Sequence, residues 1–245
     1  MEPTRDAITP AGMLGAWVVV PAHREAAVIG EVVRGLRRHF EHVLVVDDGS
    51  PDDTAGEARR AGAQVMRHAI NLGQGAALQT GMAQALRLGA QVVITFDADG
   101  QHSPEDALRL AQVVVTGQAD VVLGSRFLGA AIGIPPLRRA VLRALVALGR
   151  WRDLLLPSRR NGGVRLTDAH NGLRAFSASA ARRLRIRQRG MAHASEIVRQ
   201  ARHAGLRIVE RPVTVVYTPY SLAKGQRLSN GLAIVADLLS RKLER

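Results

Sequence analysis

The chain contains no cysteine, which excludes disulfide frameworks, thiolate metal sites and cysteine nucleophiles. Aromatic residues are almost as scarce. Four Phe, two Tyr and two Trp make up 3% of 245 residues, too few for interleaved base-stacking platforms. The basic residues behind the net charge of +13 are spread along the chain, so no nucleic-acid partner is expected. Lysine stands only at Lys224 and Lys242, and the rest of the positive charge is arginine, a balance suited to anionic substrates or an anionic membrane surface. No run approaches the roughly 18 uncharged apolar residues of a membrane-spanning helix. Met1 to Gly12 lack the basic start and apolar core of a signal sequence. The expected location is therefore the cytoplasm, with peripheral contact to the inner face of the cell membrane or to a membrane protein.

What is present is a hydrophobic fraction of 47%, enough to bury one large α/β core. From Gly15 to Ser125, short β-rich runs alternate with helical patterns, which predicts βαβ units and a mostly parallel sheet. The runs are Ala16 to Val20, His42 to Val46, Ala63 to Met66, Gln91 to Phe96 and Asp120 to Leu123. After Ser125 the rhythm changes. A Gly/Pro stretch from Gly129 to Pro136 leads into an arginine-rich amphipathic helix at 137–156, read either as a helix packed on the body or as one lying on an anionic membrane. An Arg/Asn/Gly loop at 158–164, a helix from about His193 to Ala204, a strand pair around Leu206 to Tyr217 and a C-terminal helix at 228–245 complete the reading. The expected organisation is a flexible segment at 1–14, one domain at 15–227 with halves 15–126 and 127–227, and the terminal helix.

Sheets of this kind bind ligands at the carboxyl ends of their strands. Pro21-Ala22-His23-Arg24-Glu25, Asp47-Asp48-Gly49-Ser50 and Asp97-Ala98-Asp99 all fall there. If the chain stays extended past the apolar run, Asp97 and Asp99 share one side, and two facing carboxylates call for a cation or a proton. Mg²⁺ or Mn²⁺ suits such hard oxygen ligands and takes its remaining ligands from a diphosphate. Alone, Asp-x-Asp is equally a turn with Asx hydrogen bonds. Asp48 could accept from a ribose or base, while Ser50 or Asp52 caps the next helix. Asn71-Leu72-Gly73-Gln74-Gly75 opens a helix whose N-terminus favours anions, without the spacing of a dinucleotide fingerprint or the lysine of a P-loop.

Together, Pro21-Ala22-His23-Arg24-Glu25, Asp47 to Thr54, Asn71-Leu72-Gly73, Asp97 to His102 and Gly124-Ser125-Arg126 stand in the order and spacing of glycosyltransferase family 2. Within that family the chain resembles the dolichyl- or polyprenyl-phosphate sugar transferases, from about Gly15 to Lys224. The resemblance implies a GT-A fold: a Rossmann-like, mostly parallel sheet flanked by helices with a short antiparallel addition. It also implies a UDP- or GDP-linked donor, a divalent metal, inversion at the anomeric carbon and a polyprenyl-phosphate acceptor.

Carried over by position, Pro21, His23, Glu25, Val46 and Asp48 would hold the nucleoside, with Ala98 adding backbone contacts. Asp97, Asp99 and Gln101 would surround metal and diphosphate. His23 stands where the family has Tyr and Arg24 where it has Asn, so the nucleobase stays open. Arg126 matches an arginine near donor or acceptor phosphate. Asp168 to Phe176 resembles an acceptor-side segment with Leu173 in place of Phe. Asp168 is there the candidate reaction-centre carboxylate, or alternatively a cap or ion-pair partner of Arg174. Lys224 keeps a lysine of a loop that closes over the donor, whereas Thr218 or a neighbour replaces a phosphate-binding arginine. The other readings are transfer to a soluble glycan or alcohol, a sugar-phosphate nucleotidyltransferase, and a module that binds a nucleotide sugar without catalysis.

Overall fold

The computed structural model describes residues 15–133, 166–168, 170–190 and 192–224. The expected N-terminal segment, basic helix, Arg/Asn/Gly loop and C-terminal helix lie outside them.

Strand β1 (Ala16–Ala22) is Ala-Trp-Val-Val-Val-Pro-Ala, buried along its whole length. A continuous apolar run of this kind belongs at the centre of a sheet covered on both faces. It pairs in parallel with β2 (His42–Asp47) on one side and β4 (Val92–Thr95) on the other, and β2 pairs in parallel with β3 (Gln64–Arg67). Beyond β4 comes β6 (Arg174–Ser177), antiparallel to both β4 and β5 (Val121–Ile132). The edge strand β7 (Ile208–Val216) runs parallel to β5. The sheet has seven strands in the order β3-β2-β1-β4-β6-β5-β7, the mixed α/β architecture with a short antiparallel addition.

Period-two alternation divides the core into two layers. Val18 and Val20 face α1 (Ile29–Arg37), α2 (Thr54–Arg60) and α4 (Pro104–Val115), which contribute Val33, Leu36, Ala58, Leu110 and Ala111. Trp17 and Val19 face α3 (Gln74–Arg87), α5 (Ala178–Arg183) and α6 (His193–His203), which contribute Leu78, Met82, Ala181, Ile197 and Ala201. Helix α3 lies so close to β1 that a Cβ at Gly81 would stand 2.3 Å from Val19 Cγ1. Ser103 Oγ accepts from Glu105 N and Pro104 opens α4, a sequence-encoded start for that helix. No helix among the described residues is long and apolar enough to cross a membrane.

Three expectations are corrected. Leu206 to Tyr217 forms one strand, not a pair, and its partner is β5. Pro212 lies within β7, as an edge strand accommodates a residue without an N–H. The strand expected at Asp120 to Leu123 continues to Ile132 past an irregularity between Ser125 and Ala130, and Arg126 sits on it. Finally, β4 ends at Thr95, so Asp97 and Asp99 converge through a turn and not through extended backbone.

Candidate active site at the carboxyl edge of the sheet

The loops after β1 and β2 are tied together. Pro21 is in register with Val46, and Asp48 N donates to Ala22 O at 2.8 Å. His23 Nδ1 lies 3.0 Å from Asp48 O. Arg24 adopts φ 58°, unusual for a residue with a side chain, and its N–H donates to Ser50 Oγ at 3.0 Å. Ser50 thus serves the β1 loop and not the helix start. Asp52 Oδ1 accepts from Thr54 N at 3.3 Å, and Glu25 N donates to Thr54 Oγ1 at 2.8 Å. Pro21, His23, Glu25, Val46 and Asp48 therefore share one corner.

Asp48 organises the loop that leads into α3. Its carboxylate accepts from Leu72 N at 2.9 Å and Gly73 N at 2.7 Å, and pairs with His68 Nδ1 at 2.7 Å. Burial alone would raise its pKa, but the Leu72, His68 and Gly73 hydrogen bonds outweigh that and hold it below the ordinary value.

Asp97 and Asp99 face this corner from beyond β4. Burial and the neighbouring charge of Asp97 push the Asp99 carboxyl up to about 6. Its Oδ1 accepts from Gln101 N at 3.1 Å, so the Asx bond and the carboxylate pair coexist. Asp97 accepts from Gln74 Nε2 at 3.1 Å and lies 3.5 Å from His102 Nε2. Burial works against its charge, yet His102, Arg174 and His193 together bring its pKa below normal. Ala98 between them is buried in the core. Among the described residues no group of three or more His, Cys, Asp or Glu is arranged to hold a metal. The chain offers a charged pair that a divalent cation would neutralise, with ligand positions left for a diphosphate, and in that sense the donor set fits Mg²⁺ or Mn²⁺.

The second cluster lies on β5. Arg126 Nε donates to Asp168 Oδ2 at 2.6 Å, its N–H donates to the same oxygen at 3.1 Å, and Nη1 donates to the Tyr217 hydroxyl at 2.8 Å. Burial disfavours the Arg126 cation, but Asp168 and Tyr217 more than compensate, and its pKa rises. Asp168 pairs at close range with Arg126, not with the expected Arg174, which it influences only through its charge.

Arg174, which opens β6 opposite Thr95, is 1% exposed and connects the clusters electrostatically. Burial lowers its pKa to about 10, while Asp97 and Asp168 favour its charge. Thr95 Oγ1 donates to Gly172 O at 2.8 Å and fixes the same turn. Sequence reasoning quoted Arg174, Gln74 and His102 inside motifs without giving them a role at Asp97. Their signal was proximity to the motifs, but only the β4–β6 pairing brings Arg174 to the acidic pair.

Short helix α7 (Pro219–Lys224) returns to the first corner. The Tyr220 hydroxyl donates to Glu25 Oε2 at 2.8 Å. Burial and the Glu25 carboxylate raise its pKa well above the usual phenol value. The Lys224 side chain lies outside what the structure describes.

The family model for glycosyl transferase family 2 matches residues 17–183. The UDP-N-acetylglucosamine–dolichyl-phosphate N-acetylglucosaminyltransferase of Methanococcus voltae is 33% identical over 248 residues, covering 93% of this chain and 96% of that one. The undecaprenyl-phosphate mannosyltransferase of Micrococcus luteus is 34% identical over 210 residues, covering 81% and 82%. Among solved structures, glucosyl-3-phosphoglycerate synthase from Mycobacterium tuberculosis, in complex with Mn²⁺, uridine diphosphate and glucosyl-3-phosphoglycerate, superposes with a TM-score of 0.70. It is 22% identical, with coverage of 98% of this chain and 86% of that one, a likeness of fold.

Proposed function

The chain belongs to glycosyl transferase family 2, and on that premise we propose that it is an inverting, metal-dependent enzyme that moves a sugar from a UDP- or GDP-linked donor to a polyprenyl phosphate, in the cytoplasm at the inner face of the cell membrane. The observation that carries the reading is the Asp97–Asp99 pair, in which burial and the charge of Asp97 push the Asp99 carboxyl up to about 6, set beside the His23–Asp48 corner. The lipid-phosphate acceptors in the names of the Methanococcus and Micrococcus relatives support the acceptor. The Mn²⁺ and uridine diphosphate of the mycobacterial complex support the donor side.

In this mechanism Pro21, His23, Glu25, Val46 and Asp48 hold the nucleoside, with Ala98 lending its backbone. Asp97, Asp99 and Gln101 would hold Mg²⁺ or Mn²⁺, which would supply charge neutralisation of the diphosphate leaving group. The acceptor oxygen bonds to the anomeric carbon as the carbon–oxygen bond to the diphosphate breaks on the opposite face. Arg126 and Lys224 place the phosphates. A phosphate acceptor arrives already ionised and needs orientation, which the Arg126 cation held by Asp168 would supply, whereas a hydroxyl acceptor would pass its proton to Asp168.

Thermal stabilisation by UDP- and GDP-sugars with Mn²⁺ tests the donor half. Transfer to undecaprenyl phosphate, compared with soluble glycans and alcohols, tests the acceptor, and flotation with anionic liposomes at low salt tests membrane contact. Donor binding without transfer to any acceptor would replace the enzyme reading with that of a binding module. Transfer to soluble acceptors alone would remove the lipid.

A further inference from the structure

Glu210, in register with Leu123 on the neighbouring strand, makes hydrogen bonds concentrated on the chain just before the acceptor-side carboxylate. Its Oε1 accepts from Thr167 N at 2.9 Å and Asp168 N at 2.8 Å. Its Oε2 accepts from Thr167 N and Thr167 Oγ1 at 2.8 and 2.9 Å. Thr167 Oγ1 also lies 2.6 Å from Ser125 Oγ, beside Arg126. One carboxylate thus takes both consecutive amides and the intervening hydroxyl. Charge-assisted bonds of this kind are roughly twice as strong as neutral ones and define direction.

The consequence appears at Asp168. Among the described residues its carboxylate hydrogen bonds fall on Oδ2, from Arg126 N, Arg126 Nε and Asn171 Nδ2. The carboxylate thereby holds Arg126, the cation able to meet an acceptor phosphate. That presentation depends on the backbone at Asp168, because a shift there would break the 2.6 Å bond to Arg126. We propose that Glu210 is a positioning residue: it clamps the Thr167–Asp168 backbone so that Asp168 holds Arg126 through Oδ2 and Arg126 meets the acceptor phosphate. Glu210 touches no substrate and acts only through Asp168. The inference rests on the proposed role of Asp168 in transfer.

The test compares wild type with Glu210→Gln, Asp168→Asn and the double variant, using UDP-N-acetylglucosamine and GDP-mannose as donors, Mn²⁺ and undecaprenyl phosphate. In the Gln side chain an amide NH₂ replaces an acceptor oxygen and faces N–H donors. Transfer should fall about 10- to 100-fold, as when the groups orienting a functional side chain are lost. Stabilisation by Mn²⁺ and nucleotide should be unchanged, because the donor corner is built from other loops. In the Asp168→Asn background the second change should cost nothing further.

Equal rates in Glu210→Gln and wild type would overturn the proposal. So would fully multiplicative losses in the double variant, or donor binding that falls in step with transfer. Amide exchange at Thr167 and Asp168 is read in the same proteins whether or not they turn over. Faster exchange in Glu210→Gln is expected, and unchanged protection would overturn the clamp. A wild-type chain that binds donor yet transfers to no acceptor would instead defeat the proposed function and leave the exchange result to decide the clamp.

Discussion

Gly172 faces the Asp97 carboxylate so closely that a Cβ at residue 172 would stand 1.9 Å from Oδ2. The turn that carries Asn171 and Gly172 is therefore a wall of the acidic pair. β6 makes this so by entering the sheet between β4 and β5.

Gly172→Ala should displace Asp97, because contact at that range cannot be absorbed by a carboxylate also held by Gln74 and His102. Transfer should drop by about 100-fold, the scale of a catalytic group moved by an ångström. Stability should fall by about 1–3 kcal/mol, as for overpacking. Steady-state kinetics and urea unfolding read the two effects, and near-normal turnover would contradict the close approach.

Asp99→Asn should abolish metal-dependent transfer and, without metal, stabilise the fold at high pH. A carboxyl whose pKa rises from 3.8 to about 6 on folding costs stability that is absent below the unfolded value and fully present above 6. Removing the charge should gain at most about 1–2 kcal/mol, discounted for partial solvent screening. Melting in chelator at pH 8 and pH 4.5 should show the larger gain at the higher pH. An equal gain at both would refute the electrostatic origin.

Asp48→Asn should act with the opposite sign. A depressed carboxyl pKa gives stability that is present above the unfolded value and lost as pH falls through the folded one. The variant should be less stable than wild type by about 1–2 kcal/mol near neutrality, the scale of hydrogen bonds to a charged group. The difference should shrink toward pH 3. Because the carboxylate holds Leu72 and Gly73, stabilisation by nucleotide should weaken too.

Tyr220→Phe removes a hydroxyl shared between Glu25 Oε2 at 2.8 Å and Arg24 O at 3.3 Å. The loss should cost about 1 kcal/mol. Amide exchange across α7 should accelerate while β7 stays protected. Unchanged exchange in α7 would mean that the contact does not hold the helix.

Much of this was legible along the chain. Buried central strands are apolar runs, and the polar residues that end them mark the ligand edge, so the loops at Pro21 to Glu25, Asp47 to Thr54 and Asp97 to Gln101 could be located by local pattern alone. Pro104 after Ser103 likewise announces a helix by capping chemistry that acts over a few residues. The single strand Ile208–Val216 is hard to read locally, since its partner β5 lies far earlier in the chain. The Gly/Pro composition after Arg126 masks the continuation of β5.

The sequence by itself determined the family, the parallel alternation and the identity of the acidic and basic residues at the strand ends, since each rests on contacts within a short stretch of chain. Only the tertiary structure decided what those residues face. Asp168 meets Arg126 from 42 positions away, Tyr220 reaches Glu25 across 195, and Arg174 comes to Asp97 because β6 pairs with β4. Such pairings follow from strand order, which is set by how two layers of helices cover one sheet, and neither composition nor periodicity carries that information.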